Sequence, residues 1–312
     1  MTSRFLLNPY ELPFMRRALL ELLLIGAIGG VVGVHVLLRR LAFFTEALQH
    51  TIFPGIAIAF VLGRSLLLGA LLAAALTVVL LAVLTDRLRI GTDAALAVMV
   101  ASFFALGVVV VSHRDGYTTD LNQLLFGRIL DVDQAEIITT GVVGALVLLV
   151  VAACHKELVL AAWDRTQAAA LGYRVVLLDL VVNVAVALTV VVAVRAVGTV
   201  LVVAFVVTPA ATAQLVTRSI PGAMLVAAAM AMVLGWIGLS ASFEASVHHG
   251  VRLAAGATVV IAFTVGFCVI GLGALAGRRL QQRRAWRFDS AGPAEMAGGL
   301  GPGGAGRTGV PG

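Results

Sequence analysis

Nine apolar stretches, most of them about twenty residues long, follow one another through the chain at 18–38, 42–62, 66–84, 93–112, 134–153, 177–194, 197–216, 222–240 and 255–276. A helix of about 20 residues spans the hydrocarbon core of a bilayer, and only helices and closed barrels satisfy their own backbone groups there. The pattern therefore predicts an all-α, polytopic bundle of eight or nine transmembrane helices joined by short loops. The count turns on the second run, 42–62, which polar residues interrupt: it either crosses or re-enters, and the N-terminus changes side with it. Of the 312 residues 61% are apolar and 12% charged. That is too little polar surface to clothe a water-facing domain, which excludes a soluble globular enzyme.

Charge then reads as topology. The balance of 22 basic against 16 acidic residues gives +6, but the excess lies in short loops and near the C-terminus, so nucleic acid is not an expected partner. With nine spans, thirteen Lys and Arg fall on one side and eight on the other, which places the C-terminus in the cytoplasm and the N-terminus outside. The first run is long enough to remain as a span, so no cleavable signal peptide is expected. Residues 1–276 form the membrane domain. Residues 277–312 are expected to be a cytoplasmic tail: a basic stretch, Arg278 to Arg287, beside the last span, then a Gly/Pro-rich disordered end. Cys154 and Cys268 have no metal-ligand or redox spacing.

Several chemistries are absent as signatures. The one lysine, Lys156, is not preceded by a G-x-x-x-x-G-K loop, so ATP is not bound by a phosphate-cradling loop of this chain. H-E-x-x-H and G-x-S-x-G are missing too. No enzyme activity is expected on these grounds: the chain is not an ATPase, and an intramembrane hydrolase finds no support in the sequence.

Polar side chains inside apolar runs are costly, and their default reading is functional. Glu46 and His50 are four apart and share a helix face, with Gln49 beside them. A carboxylate and an imidazole together can hold a divalent cation. They either line a translocation pathway or satisfy each other at a helix end. Pro54-Gly55 follows at once and predicts a helix break or kink; Pro209, between Thr208 and Thr212, predicts another. His35 lies in the first span, facing the same cavity or bonded to a backbone carbonyl. Glu244, His248 and His249 repeat the Glu-x-x-x-His spacing in the expected outer loop between the last two spans, as a metal entry site or pH-sensitive gate, or as solvated loop residues. Gly26, Gly29, Gly30 and Gly33 give two overlapping G-x-x-x-G spacings, a close-packing signal. The inner loop 155–176 contains a short amphipathic helix, 164–171, stopped by Gly172, which docks a cytoplasmic partner or rests on the membrane surface.

Taken in order, these segments resemble the permease subunits of binding-protein-dependent ABC importers for zinc, manganese and related metals, the ABC-3 family, over roughly residues 14–276. Family members carry an arginine pair, Leu-Ala-Phe, then Gly-Asp-Ala-Leu-Ser-His and Pro-Gly. Here the stretch reads Arg39-Arg40-Leu41-Ala42-Phe43-Phe44-Thr45-Glu46-Ala47-Leu48-Gln49-His50 with Pro54-Gly55, so Glu46 replaces aspartate and Gln49 serine. Asp93-Ala94-Ala95-Leu96, Asp120-Leu121-Asn122-Gln123-Leu124-Leu125-Phe126-Gly127, Ala170-Leu171-Gly172, Val197-Gly198 and Pro209-Ala210-Ala211-Thr212-Ala213 follow in the family's order. The link at 242–252, with its Glu-x-x-x-His-His, departs from it.

The resemblance implies a multi-pass permease of the bacterial plasma membrane, working as a homodimer with a cytoplasmic ABC ATPase subunit and an extracytoplasmic metal-binding protein. It implies a coupling helix carrying Asp164, Arg165, Ala170, Leu171 and Gly172. The cargo would be Zn²⁺ or Mn²⁺, with no permanently bound cofactor; His50, His248 and His249 tilt the expectation toward zinc. The rivals are a proton-coupled secondary transporter or cation channel using Glu46 and His50 as a relay, and an ABC permease for a siderophore or vitamin.

Overall fold

A computed structural model of the chain describes residues 8–112, 128–248 and 254–291. Among them the regular structure is all helical: α1 (Pro13–Leu38), α2 (Ala42–Thr51), α3 (Phe53–Val61), α4 (Leu66–Ala82), α5 (Thr92–Val111), α6 (Gln134–Ala153), α7 (His155–Trp163), α8 (Arg165–Ala170), α9 (Val175–Val197), α10 (Thr199–Val216), α11 (Ile220–His248) and α12 (Ala255–Ala291). Eight segments are long and apolar enough to cross a membrane, and α10 adds a shorter apolar piece, Leu201–Val216. The nine runs of the sequence are thus all helical, and the second one has the length of a span despite its polar residues.

Helix α1 occupies the middle of the bundle and packs on α11, α10, α6 and α9. Its glycines divide between two neighbours. A Cβ on Gly30 would sit 2.4 Å from the backbone nitrogen of Ala228, and one on Gly26 3.2 Å from the backbone of Ala231, both on α11. On the adjoining face a Cβ on Gly33 would come 1.9 Å from the carbonyl oxygen of Val206 in α10, and Gly29 faces Phe205. Hydrocarbon offers no hydrophobic drive between helices, so backbone approach of this kind is what holds them together.

The second run is one span in two pieces. Pro54 has no N–H to return to the carbonyl of His50, and the helical ladder breaks just before it. Ile52 carries the chain across: its N–H donates to Leu48 O at 2.9 Å and its carbonyl accepts from Ile56 N at 3.2 Å. Gly55 serves packing instead of the break, since its Cβ would lie 2.2 Å from Gly69 O of α4. Pro209 leaves α10 continuous from Thr199 to Val216, with the hydroxyl of Thr212 donating to Thr208 O at 2.7 Å. The real interruption nearby is Gly198, at φ +77° between α9 and α10.

Two further expectations meet the structure here. Glu244 is not in an outer loop: α11 runs on to His248. A Ser-Ala-Ser-Phe-Glu-Ala-Ser sequence, without Gly or Pro, has nothing to stop a helix. Helix α12 continues beyond the apolar run, through the basic stretch to Ala291; the Gly/Pro-rich end at 292–312 lies outside the described residues, as do 120–127 and His249.

If the α1 glycines hold the bundle, Gly33→Ala should lower the unfolding temperature in detergent, an overpacking cost of about 1–3 kcal/mol. Gly273→Ala, with open space around its Cβ, should leave it unchanged or raise it.

Candidate metal pathway and coupling face

Glu46 and His50 lie one turn apart on α2, and the helix spacing does bring them together, with His50 Nε2 3.6 Å from Glu46 Oε1. That is too long for a direct hydrogen bond and short enough for a cation or water to bridge. Their side chains are 46% and 32% exposed in the isolated chain, within a segment otherwise apolar enough to cross the membrane. The His50 ring packs edge-on to Phe104 of α5, centroids 5.9 Å apart, and Phe104 also meets Phe53. These rings hold the imidazole from one side and leave the other open. Gln49, 3% exposed, points its amide oxygen at no partner.

His35 does not join this pair. It sits in the last turn of α1, 1% exposed, with its ring 5.8 Å from that of His155 at the start of α7. Neither of its ring nitrogens has a hydrogen-bond partner. Among the described residues no three His, Cys, Asp or Glu side chains converge on one point. Glu244 lies on the last turns of α11, while the side chains of His248 and His249 fall outside the description.

The short helix expected before Gly172 is present as α8. Asp164 caps the helix, its carboxylate accepting from Gln167 N at 2.9 Å, and Leu171 and Gly172 end it, Gly172 at φ +87°. Ala168 is buried against the bundle, and Trp163 and Leu171 are exposed beside it.

What the sequence reading missed is how α8 is tied to α1. Asp179 of α9 accepts from Arg39 Nη1 with one oxygen and from Arg165 Nη2, at 2.7 Å, with the other. Arg39 Nη2 donates in addition to Leu158 O of α7 at 3.2 Å. One carboxylate thereby links the end of α1, helix α8 and α9. An acidic residue inside the run Val-Val-Leu-Leu-Asp-Leu-Val-Val was the available signal. A second missed network lies toward the opposite ends of these helices. Buried Glu21 accepts from Thr140 at 2.6 Å, and Glu136, part of the α6 capping box with Asp133, pairs with Arg195 at 2.9 Å.

Comparison with known proteins places this architecture. Residues 11–273 match the family model described as the ABC 3 transport family. The chain is 31% identical over 269 residues to the manganese import system permease protein ScaB of Streptococcus gordonii, covering 86% of this chain and 94% of that one. It is 33% identical over 256 residues to the manganese transport system membrane protein MntC of Halalkalibacterium halodurans, with 82% and 86% covered. The solved structure of PsaBC from Streptococcus pneumoniae in complex with Fab shares the fold at a TM-score of 0.76 and 29% identity, over 86% of this chain and 95% of its own. The lean toward zinc gains no support from these names. It counted His50, His248 and His249; of these the described side chain is that of His50, which lies beside a single carboxylate, Glu46. The bundle is thus the membrane-spanning permease of a metal transporter of the ABC type, multi-pass in the bacterial plasma membrane, and the chain belongs to the ABC 3 transport family.

Proposed function

We propose that the chain is the permease subunit of an ATP-driven manganese importer, with Glu46 and His50 as ligands along the pathway. The observation that carries this is the exposure of a carboxylate and an imidazole, 3.6 Å apart, on the surface of a broken apolar span. At membrane depth such a pair is tolerated only where it faces water, a cation or another protein surface. Two ligands do not complete the shell of a divalent cation, which takes four to six. A second copy related by a twofold axis would present the same pair from the other side, so the reading includes a homodimer around a shared pathway. Carboxylate oxygen beside a single imidazole suits Mn²⁺, and the manganese permeases among the relatives point the same way.

The break at Ile52 supports the same reading. Without the Pro54 N–H, the carbonyl of His50 is released from the helical ladder and becomes an extra oxygen near the pair. An extracytoplasmic binding protein would deliver the cation. A separate ATPase would seat against α8 and the exposed Trp163 and Leu171, and the Arg39–Asp179–Arg165 bridge would carry its movement to α1 and α9.

Two expected outcomes follow. Glu46→Gln and His50→Ala should each abolish manganese accumulation in cells lacking the native gene, measured by elemental mass spectrometry, while membrane insertion and ATPase-subunit co-purification stay normal. Wild-type accumulation in either variant would contradict the pathway assignment. Asp179→Ala strands the Arg39 side chain, which is 8% exposed, and should cost about 3 kcal/mol or more together with transport. Arg165→Ala breaks only a surface pair and should cost at most about 1 kcal/mol.

A further inference from the structure

We infer that His35 and His155 form a second metal site, separate from the Glu46–His50 pair and suited to a borderline divalent cation such as Zn²⁺. Among the described residues His35 is 1% exposed, in the last turn of α1, with both ring nitrogens buried and unpartnered. Leaving a buried donor or acceptor unsatisfied costs about 1–3 kcal/mol, and a hydrocarbon side chain would fill the same place without that cost. Among the described residues the imidazole beside it is that of His155, the first residue of α7, with ring centroids 5.8 Å apart and planes at 79°.

That spacing matches a shared cation. With metal–nitrogen bonds near 2.1 Å, each ring centroid lies roughly 3.2 Å from the metal, and centroids 5.8 Å apart then subtend about 130° at it. A small rotation of either ring gives the tetrahedral angle. His35 supplies the buried, apolar wall, and His155, half-buried, opens the site to solvent, so that water completes the shell. The cationic neighbour, Arg39, one turn beyond His35, turns its guanidinium away to Asp179, which it shares with Arg165, and to Leu158 O.

The ligand set decides the metal. Two imidazoles and water bind Zn²⁺ more tightly than Mn²⁺ by the ordinary order of divalent affinities. The site therefore discriminates against the cation proposed for the pathway. Occupancy would pin α1 to α7, the two helices that Arg39 already joins, in the arrangement seen here, and so oppose movement of the coupling face. The site stands on its own geometry; only its placement on the ATPase side rests on the function proposed above.

The test is Zn²⁺ titration of the full-length chain, purified through a histidine-free tag, in a Glu46→Gln/His50→Ala background that silences the pathway pair. Loss of an outer-shell partner alone weakens metal sites ten- to a hundredfold, so loss of a ligand should weaken this one by at least about tenfold. His35→Phe and His155→Gln should each do so, and Cu²⁺ electron paramagnetic resonance of the background protein should show two coordinated imidazole nitrogens, reduced by His155→Gln. His155 is half-buried at a helix start, so its variant folds even if His35→Phe does not. An isotherm or copper spectrum unchanged by His155→Gln would overturn the site. Because the background already lacks Glu46 and His50, either result is independent of whether those residues carry manganese.

Discussion

Helix α1 can lie in the middle of the bundle only because four of its positions have no side chain. Gly26 and Gly30 let the backbone of α11 come into contact, Gly29 and Gly33 that of α10. In a membrane, where helices gain little by hiding from lipid, this contact replaces the hydrophobic drive of a soluble core. Three polar contacts of the bundle depend on where it puts α1. Glu21 meets Thr140 in one half of the helix, His35 meets His155 in the other, and Arg39 at its end reaches Asp179.

Against this packed frame stands a span that gives up its own continuity. The break at Ile52 sacrifices backbone hydrogen bonds where replacement by water is not free, a cost that structures accept at membrane depth beside a cavity or pathway. Glu46 and His50 sit on the segment before the break and Gly55 anchors the segment after it against Gly69. The half after the break packs on α4 and α5, while the half that carries Glu46 and His50 reaches α9 and α10 as well. In the function proposed above, a movement passed from α8 through Asp179 to α9 would reach that half directly.

The sequence showed whatever depends on short spacing. Runs of apolar residues marked the helices, the overlapping glycines marked the packing face of α1, and Asp164 with Gly172 marked both ends of α8. Glu46 and His50 are legible for the same reason, being one turn apart. What was hidden joins distant parts of the chain: Arg39 and Asp179 are 140 residues apart, Glu21 and Thr140 are 119 apart, and no local pattern relates them. For His35 two readings stayed open, the cavity or a backbone carbonyl, because a single histidine in a run of valines carries no information about which helix faces it. The outer loop expected around Glu244 failed for a local reason, since the span was ended where hydropathy fell and not where a helix-stopping residue stood.

The central claim is that a cation is bound between Glu46 and His50 beside the break in the second span. Crystals of the assembled transporter soaked with Mn²⁺, with diffraction recorded at the manganese edge, test it most directly. The account predicts an anomalous peak within about 2.0–2.6 Å of both the Glu46 carboxylate and the His50 imidazole, shared with the same residues of a second copy. A peak elsewhere in the membrane domain, with that pair unoccupied, would contradict it.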